Sequence, residues 1–165
     1  MQLVHAANTH VGMVRTGNED AFLAEATADR GIYIVADGMG GHAAGEVASA
    51  MAVEIMCDAM RSSPRPIGEL QHVAADAVLN ANRRIFNRTI EEPDKHGMGT
   101  TLTTMVVGEG RYMIAHVGDS RVYRLRSGEL SQITVDHSYV QEQVDAGYLT
   151  PEQARLTGNS YKGYV

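Results

Sequence analysis

The amino-acid sequence predicts an α+β fold, in which α-helices pack on antiparallel β-sheets. A β-branched apolar run at 32–35 predicts a strand, apolar residues at helical spacing over 45–85 predict two helices, and two turn signals within 100–134 predict β-hairpins. A strand followed by two helices and then by several antiparallel strands favours this class over a doubly wound parallel sheet.

The first predicted strand, 32–35, is followed by a glycine-rich turn that contains Gly38, Gly40 and Gly41. A short apolar run that stops at such a turn is typical of a buried strand. We expect this strand to deliver Asp37 to an edge of the sheet.

Two helices are predicted between the first strand and the β-rich half of the chain. In the first, 45–60, apolar residues recur every four positions, at Val47, Met51, Ile55 and Ala59, with Ala48, Ala52 and Met56 beside them. The proline-containing segment 62–66 interrupts the pattern, which resumes over 70–85. One broad apolar face on each helix predicts packing against a sheet.

The second half of the chain is predicted to be β-rich. Gly108-Glu109-Gly110 separates strand patterns at 100–107 and 111–117, and Ser127-Gly128 separates patterns at 121–125 and 130–134, which together predict an antiparallel meander. A short helix over 138–147 and a capping box that begins at Thr150 follow. The last segment, 157–163, is predicted to be a loop.

Composition limits the partners and the compartment. The 165 residues carry a formal net charge of −6, which repels nucleic acid. No apolar segment approaches the roughly 20 residues that cross a bilayer. The single cysteine, Cys57, cannot form an internal disulfide, which suits a reducing, cytoplasmic compartment. We expect one domain over 1–165 that binds neither nucleic acid nor membrane.

The strongest chemical signal is Asp37-Gly38-Met39-Gly40-Gly41-His42, directly after a predicted strand. A carboxylate beside flexible backbone can bind a hard cation such as Mg²⁺ or Mn²⁺, and Gly38 can add its carbonyl oxygen. A glycine-rich turn capped by the aspartate is the alternative, and a match this short does not decide between them. Phosphate cradling is disfavoured, because the glycine spacing fits neither a Walker loop nor a dinucleotide fingerprint.

Two further clusters carry charged residues. Arg15-Thr16-Gly17-Asn18-Glu19-Asp20 places a guanidinium that can clamp phosphate beside groups that can hold metal-bound water. A solvated turn with a surface ion pair explains the same run more simply. In Gly118-Asp119-Ser120-Arg121, at the end of a predicted strand, Asp119 serves either a site or the turn itself.

The histidines are weaker candidates. His42, His116 and His137 can each act as acid, base or ligand, or simply form scaffold hydrogen bonds. His42 gains weight because it lies in the Asp37 loop. The sequence has no nucleophile elbow, no cysteine with a reactive signature and no zinc spacing, so covalent catalysis and zinc chemistry are disfavoured.

Five motifs in order together resemble the bacterial branch of the metal-dependent protein phosphatases, type 2C. They are Arg15-x-x-Asn18-Glu19-Asp20, Asp37-Gly38-Met39-Gly40-Gly41-His42 with Gly45-Glu46, Gly97-Met98-Gly99-Thr100-Thr101, Gly118-Asp119-Ser120-Arg121 and Asp136-His137-Ser138. A chance match to five ordered motifs is far rarer than a chance match to one.

The resemblance implies a four-layer α-β-β-α sandwich, with two antiparallel sheets inside and a metal site at one end of them. Asp37 would bridge two Mn²⁺ or Mg²⁺ ions, and Gly38 would bind one of them through its carbonyl oxygen. Asp119 resembles the ligand of a third, weaker ion. Mn²⁺ or Mg²⁺ is therefore the expected cofactor, in two or three copies.

The resemblance also implies the remaining roles. Glu19 and Asp20 would hold metal-coordinated water, Arg15 would bind the substrate phosphate, and His42 would protonate the leaving alkoxide. The implied reaction is hydrolysis of phosphoserine and phosphothreonine by a water that bridges the two metals, without a phosphoenzyme. The expected partners are phosphorylated proteins, among them a serine/threonine kinase.

The C-terminal part departs from the family pattern. Family members continue further and add strands and two metal-binding aspartates, whereas no aspartate follows Asp145 here. We therefore expect an incomplete domain with weakened metal affinity, and sheet edges covered by homodimerisation or strand exchange. The alternative function is a catalytically impaired phosphoprotein-binding or regulatory module. A sporulation-type phosphatase is a third option, disfavoured by the Arg15 cluster.

Overall fold

Two antiparallel sheets and four α-helices make up residues 2–40 and 44–156, which the computed structural model describes. In chain order the elements are β1 (Asp20–Ala26), β2 (Arg30–Met39), α1 (Ala44–Ser62), α2 (Gln71–Glu91), β3 (Gly99–Thr100), β4 (Leu102–Gly108), β5 (Arg111–Val117), β6 (Tyr123–Arg126), β7 (Glu129–Gln132), α3 (Tyr139–Asp145) and α4 (Pro151–Leu156). The α+β class and the two antiparallel sheets expected from the sequence are confirmed.

The larger sheet has the strand order β1-β2-β4-β5, with the short β3 paired to β2 beyond the end of β4. Asp20 lies opposite Asp37 in the β1–β2 pair, and Val35 lies opposite Thr103 in the β2–β4 pair. Thr103 in turn lies opposite His116 in the β4–β5 pair. The register therefore brings β1, β2, β4 and β5 together at the end of the sheet where Asp37 lies.

The first strand, β1, was not predicted from the sequence. Its residues, Asp20–Ala26, include three alanines and two carboxylates, a composition with weak strand propensity. The strand forms because all seven of its residues pair with β2. Tertiary pairing overrides local propensity here.

The strand that carries Asp37 is longer than predicted. The strand predicted at 32–35 runs from Arg30 to Met39, so Asp37 lies within it. β2 has β1 on one side and β4 and β3 on the other. The glycine after Asp37 does not end the strand, because Gly38 pairs with Thr100 of β3.

Helix α1 covers one face of this sheet with small and flexible side chains. Ala48, Ala52, Met56 and Met60 recur every four residues and are all fully buried. Ala48, Ala52 and Met56 belong to the broad apolar face predicted for this helix, whereas Val47 of the same face is only partly buried. Alanines let the helix axis approach the sheet closely, and each buried methionine contributes about 1.5–3 kcal/mol of apolar burial.

Helix α2 packs beside α1, and its predicted apolar face is confirmed. The buried residues of α2 are Ala74, Ala77, Ala81 and Ile85. At the preceding break, the Arg30 side chain donates hydrogen bonds to the carbonyl oxygens of Ser63 (3.1 Å) and Arg65 (2.6 Å). These bonds satisfy carbonyls just past the end of α1 and fasten it to β2.

Both predicted hairpins form, with two-residue turns. The central residues Glu109 (φ 52°) and Gly110 (φ 70°) of the first turn, and Ser127 (φ 52°) and Gly128 (φ 82°) of the second, all have positive φ, as a type I′ turn requires. The predicted continuous meander is wrong, however, because β6 and β7 form a separate two-stranded sheet that does not pair with β5.

The last two helices form as predicted. Ser138 caps α3 by accepting a hydrogen bond from the Gln141 amide (3.1 Å), and Gly147 follows that helix with a φ of 78°. Thr150 and Gln153 exchange hydrogen bonds of 3.2 and 2.8 Å in a capping box at the start of α4. The loop predicted at 157–163 lies outside the described residues.

None of the helices in the described part of the chain combines the length and hydropathy that crossing a bilayer requires.

Candidate functional site

Asp20 and Asp37 form the centre of the candidate site. They are directly opposite residues of an antiparallel pair, so both side chains lie on the same face of the sheet. The helices cover the other face of the sheet, because Ile34 and Ala36, which alternate with Val35 and Asp37 along β2, are buried. The two residues line a cavity of about 290 Å³. Its other lining residues are Asn8, Thr9, Ala21, Phe22, Val35, Ala36 and Ser120.

The main chain of Asp37 is held by a buried threonine. The Thr101 amide donates to the Asp37 carbonyl oxygen (2.9 Å), as in a regular sheet ladder. The Asp37 amide, however, donates to the Thr101 hydroxyl, also at 2.9 Å. A side-chain hydroxyl therefore takes the place of a main-chain carbonyl at this residue, and the ladder is interrupted between β3 and β4.

Thr101 also joins β2 to the loop that carries Asp119. Its hydroxyl lies 2.8 Å from the Ser120 hydroxyl, and Thr101 is completely buried. Thr101 belongs to the motif Gly97-Met98-Gly99-Thr100-Thr101, but no role for it was predicted from the sequence. The run Gly99-Thr100-Thr101 was the only sequence signal for this residue, and it does not reveal that Thr101 lies opposite Asp37.

Gly38 and Gly45 let helix α1 begin close to the candidate site. A methyl group on Gly38 would overlap the carbonyl oxygen of Gly45. A methyl group on Gly45 would lie 2.8 Å from the Glu19 carboxyl carbon and 2.8 Å from the Met39 amide nitrogen. The predicted site residues Gly38 and Glu19 are therefore brought together by a contact that only glycine permits.

Glu19 is anchored through its carbonyl oxygen. That oxygen accepts hydrogen bonds from the Gly38 amide (3.2 Å) and from the hydroxyl of Ser49 on α1 (2.6 Å). Its largely buried carboxylate lies 3.6 Å from the Arg15 guanidinium. Arg15 is 64% exposed, so the surface ion pair considered from the sequence is present, and such a pair is weak.

The loop that carries Asp119 follows β5 and is held by the segment before α3. Gly118 has a φ of 106°, and its carbonyl oxygen accepts a hydrogen bond from the His137 amide (2.8 Å). Arg121 forms a bidentate ion pair with Asp136, at 2.8 and 2.6 Å. The Arg121 guanidinium lowers the pKa of the Asp136 carboxyl.

His116 and His137 lie together, with ring centroids 4.8 Å apart. His116 Nε2 faces the Val135 carbonyl oxygen (3.1 Å), so this nitrogen carries a hydrogen, and Nδ1 lies 2.8 Å from the Thr103 hydroxyl. Burial and the neighbouring His137 lower the pKa of His116. A neutral ring with both nitrogens engaged fits the scaffold role rather than an acid or base.

The donor chemistry around Asp37 fits a hard divalent cation. Two carboxylates and the hydroxyl of Ser120 line the same cavity, and oxygen is the ligand that Mg²⁺ and Mn²⁺ prefer. Within residues 2–40 and 44–156, no three His, Cys, Asp or Glu side chains cluster closely enough to hold a metal ion. The donors present are thus of the right kind but form only part of a ligand set.

The remaining sequence candidate, His42, lies outside the described residues. The structure therefore brings together Arg15, Glu19, Asp20, Asp37 and Gly38 at the end of β1 and β2, and it links Asp119 to them through Ser120 and Thr101.

A family model described as protein phosphatase 2C matches residues 11–155. The serine/threonine protein phosphatase PstP of Mycobacterium tuberculosis is 45% identical over 152 residues, which are 92% of this chain and 28% of that protein. The serine/threonine phosphatase stp of Listeria monocytogenes is 39% identical over 149 residues, 88% of this chain and 59% of that protein. The chain thus spans less than two thirds of these relatives.

Solved structures agree with the sequence matches. The catalytic domain of PstP, crystallised with two manganese ions, superposes with a TM-score of 0.76 at 43% identity, covering 94% of this chain and 65% of that one. The serine/threonine phosphatase of S. agalactiae superposes with a TM-score of 0.81 at 36% identity, covering 88% of this chain and 61% of that one. The ordered motifs, the architecture and these matches agree, and the chain belongs to the protein phosphatase 2C family.

Proposed function

We propose that the chain supplies most of a metal-dependent phosphatase domain, a single unit over 1–165, that hydrolyses phosphoserine and phosphothreonine in proteins. The observation that carries this proposal is the pair Asp20 and Asp37, which face each other across two strands in one cavity with Ser120. The similarity to serine/threonine phosphatases, one of them crystallised with two manganese ions, supports Mn²⁺ or Mg²⁺ as the cofactor.

The metal-binding roles fall to three residues. Asp37 and Asp119 would offer carboxylate oxygens, and Gly38 its carbonyl oxygen. When bound, two or three divalent ions lower the pKa of water and offset the charge of the phosphoryl oxygens. Glu19 and Asp20 would orient coordinated water from beside this set, since one is anchored next to Gly38 and the other faces Asp37.

Arg15 and His42 would act on the substrate. Arg15 is mostly exposed and its contact to Glu19 is long, so its guanidinium can turn to a phosphate at little cost and bind two of its oxygens. His42 would donate a proton to the leaving serine or threonine oxygen. Direct attack of water on phosphorus requires no nucleophilic side chain, which agrees with the buried state of the only cysteine, Cys57.

The reaction is tested by phosphate release from a phosphothreonine peptide in the presence of Mn²⁺, with Asp37→Asn as the central variant. We expect Asp37→Asn to abolish Mn²⁺-dependent turnover, because one carboxylate charge is lost at the centre of the site. Asp29→Asn, in the loop between β1 and β2, is the matched control and should leave turnover unchanged. Release that survives Asp37→Asn in excess chelator would contradict the proposal.

A second candidate function is a phosphoprotein-binding or regulatory module without turnover. The observation that favours it is the partial ligand set, since no three metal-binding side chains cluster among the described residues. The two functions are separated by titrating phosphopeptide with and without Mn²⁺. Binding that needs Arg15 but no metal, and that gives no phosphate release, supports the module.

Phosphorylated proteins, including a serine/threonine kinase, are the proposed partners, and the cytoplasm is the proposed compartment. We also propose that two copies associate through the sheet. The support is the outer face of the sheet, where Phe22 and Val35 lie opposite each other and are 42% and 45% exposed, beside β1, the edge strand of the sheet in the described part of the chain.

A further inference from the structure

Two consecutive residues of another segment, Asp136 and His137, bind the loop that carries Asp119, one on each side of that residue. Before Asp119, the Gly118 carbonyl oxygen accepts from the His137 amide (2.8 Å), and the Gly118 amide faces His137 Nδ1 (3.4 Å). After Asp119, Arg121 holds both carboxylate oxygens of Asp136 (2.8 and 2.6 Å). The residues one before and two after Asp119 are therefore anchored to the same short stretch of chain.

The segment that contains Asp136 and His137, residues 134–138, is itself held by hydrogen bonds. The Thr134 hydroxyl accepts from the Val122 amide (3.0 Å), and both Thr134 and Ser138 are buried. Ser138 starts α3 as its N-cap. Hydrogen bonds therefore hold both ends of segment 134–138, one of them to Val122 next to Arg121, and keep Asp136 beside Arg121.

The Arg121–Asp136 pair is better placed than an ordinary surface ion pair. Its two parallel N–H···O bonds fix direction as well as distance, and the Asp136 side chain is 20% exposed. On the other side of the loop, the Thr103 hydroxyl lies 3.2 Å from the Ser120 carbonyl oxygen and the Thr101 hydroxyl lies 2.8 Å from the Ser120 hydroxyl. The backbone on both sides of Asp119 is consequently held from two directions.

We propose that Asp136 and Arg121 are positioning residues that hold Asp119 in the orientation in which it binds a divalent cation, with His137 fixing the register of the same loop. This inference rests on the metal-binding role of Asp119 in the proposed function. Partners that orient a metal ligand without touching the metal typically change affinity by about 10-fold to 100-fold when removed.

The test measures Mn²⁺ binding to the 165-residue chain by the electron paramagnetic resonance signal of free Mn²⁺, and amide hydrogen exchange at Gly118, Asp119 and Ser120. Asp119→Ala first identifies the part of the titration that depends on Asp119. We expect Arg121→Ala and Asp136→Ala each to weaken that component about 10-fold. The double variant should be no worse than either single variant, because the two side chains act as one pair.

Two controls separate positioning from a general loss of stability. Arg61→Ala breaks an equally bidentate ion pair, with Glu25, between α1 and β1, and it should leave both Mn²⁺ binding and exchange in the Asp119 loop unchanged. Arg121→Lys keeps the charge and should retain part of the affinity, because the two-bond geometry is lost while the attraction remains. Protected amides in β2 and β4 confirm that each variant is folded.

Unchanged Mn²⁺ affinity in Arg121→Ala and Asp136→Ala would overturn the inference, and so would an equal loss in Arg61→Ala. If Asp119→Ala itself leaves the titration unchanged, the metal role of Asp119 in the proposed function fails. The exchange measurement then tests only the structural part of the inference: faster exchange at Asp119 in Arg121→Ala but not in Arg61→Ala supports the hold of the ion pair on the loop, and equal exchange contradicts it.

Discussion

The hydroxyl of Thr101 helps to position Asp37, the residue at the centre of the candidate site. In a regular ladder the Asp37 amide would donate to a main-chain carbonyl, whereas here it donates to a side chain that also touches Ser120. The position of Asp37 therefore depends on the identity of the residue opposite, and not only on the sheet. Thr104, three residues along, is a useful contrast, because its buried hydroxyl has no hydrogen-bond partner among the described residues.

Thr101→Val should lower the free energy of unfolding by about 1–3 kcal/mol, because it removes the hydroxyl that accepts from the partly buried Asp37 amide. Thr101→Ser should keep most of the stability. The matched control is Thr104→Val, which removes an unpaired hydroxyl and should be neutral or stabilising. Urea denaturation measures all three, and equal losses in the two valine variants would contradict this account of Thr101.

His116 should make stability depend on pH. Burial and His137 lower its pKa in the folded chain below the usual 6.5, so the unfolded chain binds a proton that the folded chain does not. The stabilising contribution is therefore complete above about pH 7 and is lost as pH falls through 6.5 towards the lower folded value.

We expect the free energy of unfolding to fall as the pH drops below the ordinary histidine pKa of 6.5, and His116→Gln to reduce that slope. Nuclear magnetic resonance of the labelled imidazole gives the pKa of His116 directly. A folded pKa at or above 6.5 would contradict the prediction, whatever the slope of the stability curve.

Helix α1 begins in close contact with the end of strand β2, next to the candidate site. Helix α1 begins at Ala44, five residues after β2 ends, and Gly45 packs against both Met39 and Glu19. An alanine in a helix is normally favoured over glycine by about 1 kcal/mol. The close packing around Gly45 reverses that preference.

Gly45→Ala should destabilise the chain by about 1–3 kcal/mol, because a methyl group would lie 2.8 Å from both the Glu19 carboxyl carbon and the Met39 amide nitrogen. Gly17→Ala is the control, since a methyl group there would meet nothing within 4 Å. Thermal denaturation measures the stability of both variants. A stability gain in Gly45→Ala would show that helix propensity outweighs the contact.

At the scale of the whole molecule, the two faces of the large sheet differ. One face is covered by α1 and α2 and holds the buried core, while the other carries Asp20 and Asp37 together with Phe22 and Val35. Exposed apolar side chains beside a free strand edge favour association. The face that holds the candidate site is also the face that a second copy would cover.

Phe22→Lys should weaken self-association by at least ~10-fold, because it places a charge in the middle of the proposed contact. Sedimentation velocity over a range of concentrations measures the effect. Leu79→Lys is the control, since Leu79 is an exposed apolar residue on α2, away from this face. Loss of association in the control alone, or a strictly monomeric chain at all concentrations, would contradict the proposed homodimer.

Local patterns in the sequence determined much of the secondary structure. Apolar spacing predicted α1 and α2, turns containing Gly110 and Gly128 predicted the two hairpins, and the Thr150 capping box predicted α4. These features depend on residues a few positions apart, where backbone geometry alone relates them. The ordered motifs indicated the family for the same reason, because each is a short run that can be recognised without knowing the fold.

Contacts between distant segments were decided only by the tertiary structure. Strand β1 has weak propensity and forms because β2 pairs with it, which in turn places Asp20 opposite Asp37. Arg121 meets Asp136 across 15 positions. Such contacts depend on sheet register and on how loops pack, and a one-residue change of register would send every side chain of a strand to the other face. The chemical groups available and the family they indicate could therefore be predicted from the sequence, whereas the packing of the strands sets which of those groups face each other.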